Sequence, residues 1–213
     1  MCPYAYQASK WLREVRDALG LEVRWRFFSL EDVNREEHKK HPWERPWSYG
    51  WGQMRVGALV RREHGDAGVD RWYAAVGRAF FDDGVRTYVP EVHAEVIAAA
   101  GFDPALVARA VADPTTHDDV MADYDECRSR HGGHVVPTVV LPSGHAVYGP
   151  VVVPAPTGDD TLALWDLVRA MERFPHLYEL RHPKTPADLA HVATHFATYL
   201  EARAWRTVEK PAP

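Results

Sequence analysis

The chain has 213 residues, 46% of them hydrophobic, a formal charge of -5 and a pI near 6.2. That is enough apolar content for a sizeable core, without the basic footprint that a nucleic acid or an anionic membrane surface requires. No apolar run approaches the roughly 18 to 20 residues of a transmembrane helix, and Met1 leads straight into Cys2-Pro3 with no charged or apolar leader, so the expected location is the cytoplasm. Two cysteines allow one disulfide at most, and a reducing compartment argues instead for free thiols at Cys2 and Cys127.

Ala8, Trp11, Leu12, Val15 and Leu19 recur at helical spacing behind Pro3, with Gly20 as a stop, and predict an amphipathic first helix. Val23, Trp25 and Phe27 then alternate with Arg24 and Arg26, a period of two that predicts a strand over about 22–29. From Glu31 to about Pro114 the pattern is helical throughout. Val69, Trp72, Tyr73, Val76 and Phe80 give the clearest stripe, and Pro90, Gly101, Pro104 and Pro114 divide the later helices. A helix over about 116–131 turns Val120, Met121, Tyr124 and Cys127 to one face and ends at Gly132-Gly133. Thr138 to Leu141 and Ala146 to Tyr148 read as the arms of a hairpin around Pro142-Ser143-Gly144-His145. Two helices close the chain, over about 159–173 and 186–203.

Cys2 stands where the first helix begins, so free backbone N–H groups and the helix dipole favour negative charge on its sulfur, as a nucleophile needs; the same position also suits a stray cysteine in a frayed terminus. Far along the chain, Val136-Pro137-Thr138 opens an apolar strand just after a helix and a glycine pair. Helix, strand, helical insertion, helix, Val-Pro-Thr strand, hairpin and helix is the order of a thioredoxin fold interrupted by a helical domain. Cys2-Pro3-Tyr4-Ala5 resembles the Cys-Pro-x-Cys motif of the DsbA-like thioredoxin-fold oxidoreductases with its second cysteine replaced, and Val136-Pro137-Thr138 resembles their cis-proline loop. Within that group the sequence is most similar to the actinobacterial mycothiol-dependent reductases. The likeness rests on Phe28-Ser29-Leu30 with Asn34, Trp51-Gly52 with Arg55-Val56, Tyr148-Gly149-Pro150-Val151, and Phe174-Pro175-His176-Leu177-Tyr178-Glu179-Leu180, and it spans about 2–185.

The resemblance implies a thioredoxin-like α/β fold with an inserted all-helical domain. Residues 1–30 and 115–180 would form the thioredoxin-like domain, 31–114 the helical insertion and 181–213 a C-terminal helical extension. The 22–29 strand and the 138–148 hairpin are expected in one sheet, and Pro137 is expected to be cis and beside Cys2. The family's first β-strand, which precedes the cysteine, is missing from this chain, and the native protein is expected to start upstream of Met1. The implied activity is thiol-dependent oxidoreduction with Cys2 as a catalytic monothiol, because Ala5 stands in place of the resolving cysteine and the second thiol must come from outside. The implied co-substrate is a low-molecular-weight thiol, mycothiol, with no tightly bound cofactor. The other partner is a small electrophilic or disulfide substrate, and the chain is expected to be a monomer or homodimer. Pro3, Tyr4, Asn34, Val136 and Pro137 are the implied thiol- and substrate-binding residues. Two further readings remain: a thiol-conjugate transferase or isomerase resembling the kappa-class transferases and hydroxychromene-carboxylate isomerases, and a redox-inactive binding module that kept the groove.

Each remaining candidate has a plainer alternative. Asn34 suits the cap of the next helix as well as a substrate contact. Trp43, Trp47, Tyr49 and Trp51 make either an aromatic lid, with Trp47 and Trp51 its candidate members, or ordinary core. Cys127 lies on an apolar stripe, where a thiol behaves as a small hydrophobe. His38 with His41 and His131 with His134 have i,i+3 spacing but lack a clear third ligand, so no metal is expected. Asp118, Asp119, Asp123, Asp125 and Glu126 read as a solvated helix face.

Overall fold

The computed structural model describes residues 1–45, 48–133 and 135–203. The chain is a mostly helical α/β protein whose only sheet among those residues has two strands. It divides into two compact units. Among the described residues, one contains Met1, 24–133 and 201–203, and the other contains 2–23 and 135–200.

In the second unit, α1 (Pro3–Leu19) has Pro3 in its first turn and ends at Gly20, whose φ of 65° suits a residue without a β-carbon and whose N–H returns to the Arg16 carbonyl. Its predicted stripe buries Ala8, Trp11 and Val15, while Leu19 is exposed. Strands β1 (Thr138–Val140) and β2 (Ala146–Tyr148) pair antiparallel, with Thr138 opposite Tyr148 and Val140 opposite Ala146. Trp11 and Val15 pack with Leu141 and Val147 of the hairpin and with Trp165 and Val168 of α7 (Asp159–Ala170). Trp11 is completely buried, and its Nε1–H donates to the Thr161 carbonyl at 2.9 Å. The predicted continuous helix over 186–203 is instead two, α8 (Pro186–His195) and α9 (Ala197–Arg203), separated at Phe196. Of the apolar residues on that stretch Phe196 and Tyr199 are buried and Leu189 is exposed, so full burial begins at the break rather than running along one continuous stripe.

The other unit is helical: α2 (Leu30–Val33), a 3-10 turn Pro42–Glu44, α3 (Trp51–Gly77) with a π turn Arg78–Asp82, α4 (Pro90–Ala99), α5 (Leu106–Ala112) and α6 (Thr115–Arg130). Helix α3 is two segments meeting at Gly65, whose φ of 64° and ψ of -167° only glycine adopts freely. Val56, Val60, Val69, Trp72, Ile97, Leu106 and Val120 anchor the core.

The strand expected over 22–29 does not form. Exposure alternates there, with Arg24 and Arg26 outward and Phe27 buried, but among the described residues no strand pairs with the segment and helix side chains meet it instead. The Phe27 N–H donates to Asp123 Oδ2 at 3.1 Å and Trp25 Nε1–H donates to Asp70 at 2.9 Å. Alternation gives a segment two faces, whereas a strand also needs a neighbour to complete its ladder. The sheet shared with the hairpin is therefore absent. Asp123 also corrects the solvated acidic face: it is buried, and accepts from the Arg61 guanidinium at 2.7 Å as well as from Phe27.

His93 sits in this helical core. Trp72 Nε1–H donates to its Nε2 at 3.1 Å, which leaves the proton of the neutral ring on Nδ1, donating to the Thr87 carbonyl at 3.0 Å. Burial holds its pKa down to about 4, against an opposing pull from the Thr87 bond. A histidine depressed in the folded state contributes its full stability above its unfolded value of about 6.5 and loses it as pH falls toward 4, by up to roughly 3 kcal/mol. Urea unfolding of wild type and His93→Leu at pH 7.5, 5.5 and 4.5 should show a variant that is less stable at pH 7.5 but has a flatter pH dependence through this window.

Candidate functional site

The first turn of α1 sets the position of Cys2. Cys2 is its N-cap, with extended backbone (φ -119°, ψ 120°), and its carbonyl accepts the Tyr6 N–H at 3.1 Å. The sulfur accepts the Ala5 N–H at 3.5 Å, one of the helix's otherwise unpartnered donors. On its other side the thiol donates to the Val136 carbonyl at 3.7 Å, across 134 residues of sequence. The Val136–Pro137 peptide is cis, as are Gly149–Pro150 and Val153–Pro154. The Pro137 carbonyl accepts the Gly149 N–H at 2.9 Å, which ties the segment before β1 to the residue after β2. Gln7 braces the same turn by accepting the Ala155 N–H at 3.0 Å.

Cys2, Pro3, Tyr4, Val136 and Pro137 are thus brought together within one unit. The Tyr4 ring meets Phe196 edge to face at 5.2 Å, and the Lys184 ammonium lies 5.6 Å from its centroid. Tyr148, opposite Thr138 in the hairpin, joins this group. Its phenol is held above the ordinary tyrosine value by desolvation, then by the charges of Cys2, Tyr4 and Glu179. Periodicity did not single out Tyr148, although hairpin register alone places it across from the residue after Pro137. Neither Phe196, which the apolar spacing places on the last helix, nor Lys184 stands out as a neighbour of Tyr4 in the sequence, since those contacts depend on where the last helices turn.

The other candidates lie in the helical unit and have partners there. Asn34 is exposed and closes α2, its Nδ2–H donating to the Leu30 carbonyl at 2.8 Å, so it caps the preceding helix rather than the next one. Trp51 is 3% exposed, packs on Trp43 at 4.6 Å and donates Nε1–H to His117 at 3.2 Å; it is core, and a buried indole cannot swing as a lid. Trp47 lies outside the described residues, as does His134. His38 faces Glu36 and His41 faces Asp32 Oδ1 at 2.6 Å, and among the described residues no group of three metal-ligating side chains occurs. Nor, among them, is any helix long and apolar enough to cross a membrane.

Asp32 is buried beneath Tyr124, whose hydroxyl donates to it at 2.7 Å. Burial pushes its carboxyl up, but the bonds from His41 and Tyr124, with the charges of His41 and Arg35, outweigh that and hold it below the usual carboxylate value. Tyr124 is correspondingly raised, by its own burial and then by Asp32. Asp32 therefore fastens α2 to α6.

Residues 1–182 match the family described as "Rv2466c-like: Mycothiol-dependent nitroreductase Rv2466c". The chain belongs to this family. It is also 45% identical over 210 residues to the uncharacterized protein Rv2286c of Mycobacterium tuberculosis, a match covering 99% of this chain and 90% of that one. The Rv2466c-like portion includes Cys2, Tyr4, Pro137 and Tyr148 but stops short of Lys184 and Phe196.

The two cysteines differ in surroundings. Burial pushes the Cys127 thiol above its ordinary value, aided by Glu126, whereas Cys2 caps a helix. Iodoacetamide at pH 7.5 should add one group quickly and a second only on unfolding, as followed by intact mass. Cys2→Ser should abolish the quick addition.

Proposed function

We propose that the protein is a cytoplasmic mycothiol-dependent oxidoreductase in which Cys2 is a catalytic monothiol of DsbA-like type, carried on a thioredoxin-like domain of residues 1–30 and 115–180 with 31–114 as a helical insertion and 181–213 as an extension. The observation that carries the reading is the sulfur of Cys2 held between the Ala5 N–H and the Val136 carbonyl, two segments far apart in sequence. Membership in a family described as mycothiol-dependent supports the choice of thiol.

The chemistry follows from one sulfur with no second thiol at the next turn. For a nitro acceptor, Cys2–SH and mycothiol together give two electrons and two protons; R–NO2 becomes R–NO and water, and the two sulfurs join as a mixed disulfide. For a disulfide substrate R–S–S–R′, the Cys2 thiolate forms a bond to one sulfur and expels R′–S⁻, which takes up a proton. In both cases a further mycothiol attacks the adduct, regenerates Cys2–SH and leaves as a disulfide. The Ala5 N–H supports charge on the Cys2 sulfur whenever it is the leaving group. Pro3 holds the first turn, Val136 and Pro137 wall the sulfur on one side, and Tyr4 flanks it on another.

Intact mass tests this directly. Wild type treated with a mixed-disulfide reagent should hold a long-lived adduct on Cys2 that only added thiol removes. Ala5→Cys places a second sulfur one helical turn away and should clear the adduct unaided. Equal adduct lifetimes in the two proteins, or clearance through Cys127, would refute the monothiol mechanism.

A further inference from the structure

The part of the chain beyond residue 182 lies outside the family match, yet two of its side chains converge on Tyr4, two residues from Cys2. Phe196 is 5% exposed and meets the Tyr4 ring at an interplanar angle of 87°. The Lys184 ammonium stands 5.6 Å from the centroid of the same ring. The supporting segment is capped at its start and tied down midway. Thr185 and Asp188 form a reciprocal cap at the start of α8, and His191 Nε2 pairs with the Val153 carbonyl at 3.2 Å, on the loop that follows β2. The helix is interrupted at Phe196 (φ -107°, ψ 14°), the residue whose ring abuts Tyr4. An edge-to-face contact and a nearby cation both restrict how an aromatic ring can turn.

We propose that residues 183–200 form a specificity-determining rim of the Cys2 site, in which Phe196 and Lys184 are positioning residues that fix the Tyr4 ring as a stacking wall for thiols and disulfides whose sulfur carries a ring. This rests on Cys2 being the reacting thiol. The rim acts on the group beside the attacked sulfur and so separates ring-bearing partners from compact aliphatic ones.

The test uses the full chain and two neutral probes, 4,4′-dithiodipyridine and bis(2-hydroxyethyl) disulfide. In each case the Cys2 thiolate bonds one probe sulfur, the S–S bond of the probe breaks, and the other half leaves as a thiolate. The readout is the ratio of the second-order rate constants for the two probes, aromatic over aliphatic. Phe196→Ala should lower that ratio about fivefold, Tyr4→Ala by a similar factor, and the double variant no further, because Phe196 acts through Tyr4. Phe196→Tyr, which keeps the ring, should restore the ratio. Lys184→Met, a change at an exposed side chain, should lower it about twofold and guards against a Phe196 variant that does not fold. An unchanged ratio, equal slowing with both probes, or additive losses in the double variant would overturn the rim. Release of thiopyridone by Cys2→Ser at the wild-type rate would instead overturn the assignment of Cys2, so the two failures are distinct.

Discussion

The placement of the Cys2 sulfur depends first on Trp11. Its ring is fully buried between the hairpin and α7, and its one polar atom is satisfied by the Thr161 carbonyl. An indole buries a large apolar area, and its single donor fixes its rotation as well as its depth. Because α1 is rigid, fixing Trp11 also fixes the start of the helix, where Cys2 takes the cap position. Glu14 reinforces the register by accepting the Thr161 hydroxyl at 2.9 Å. Both contacts lie roughly two and a half to three and a half turns from the sulfur, so the core sets the direction of the helix while Ala5, Gln7 and Val136 hold its first turn.

The helical unit is organised differently, around buried polar groups that each satisfy several partners. Asp123 accepts from a backbone N–H and from Arg61, Asp32 from Tyr124 and His41, and His93 bridges Trp72 and Thr87. Such groups add little net stability while complete, but each is costly to leave half-made, so they select one packing of the helices over its neighbours. Arg55 belongs with them, reaching Thr116 and the carbonyls of Val111 and Asp113.

Much of this was legible from the residues alone where local rules dominate. Pro3 and Gly20 bracket α1, Gly132-Gly133 follow α6, and the Pro142–His145 turn closes the hairpin, because in each case backbone preference and apolar period agree. The pairing of Cys2 with Val136 was legible only through resemblance, since no local rule joins residues 134 apart. Other features were misread for related reasons. The 22–29 segment has a strand's alternation but finds helix side chains where a strand would need a ladder. Asp123 looks like one more surface carboxylate until its partners are known. The helix after Pro186 breaks at a phenylalanine, a residue that carries no stop signal, because a tertiary ring contact outweighs continued helix.

Gly133 lies against Cys127 so closely that the Cys127 sulfur occupies the space a β-carbon would need there, and its N–H donates to the Cys127 carbonyl at 3.0 Å. The sulfur thus fills a notch shaped by the absence of a side chain. An atom added to the half-buried sulfur on that side would have to displace the backbone that ends α6. The glycine after α6 and the sulfur on its last turn are thus fitted to one another, and on the side where they meet neither can grow without displacing the other.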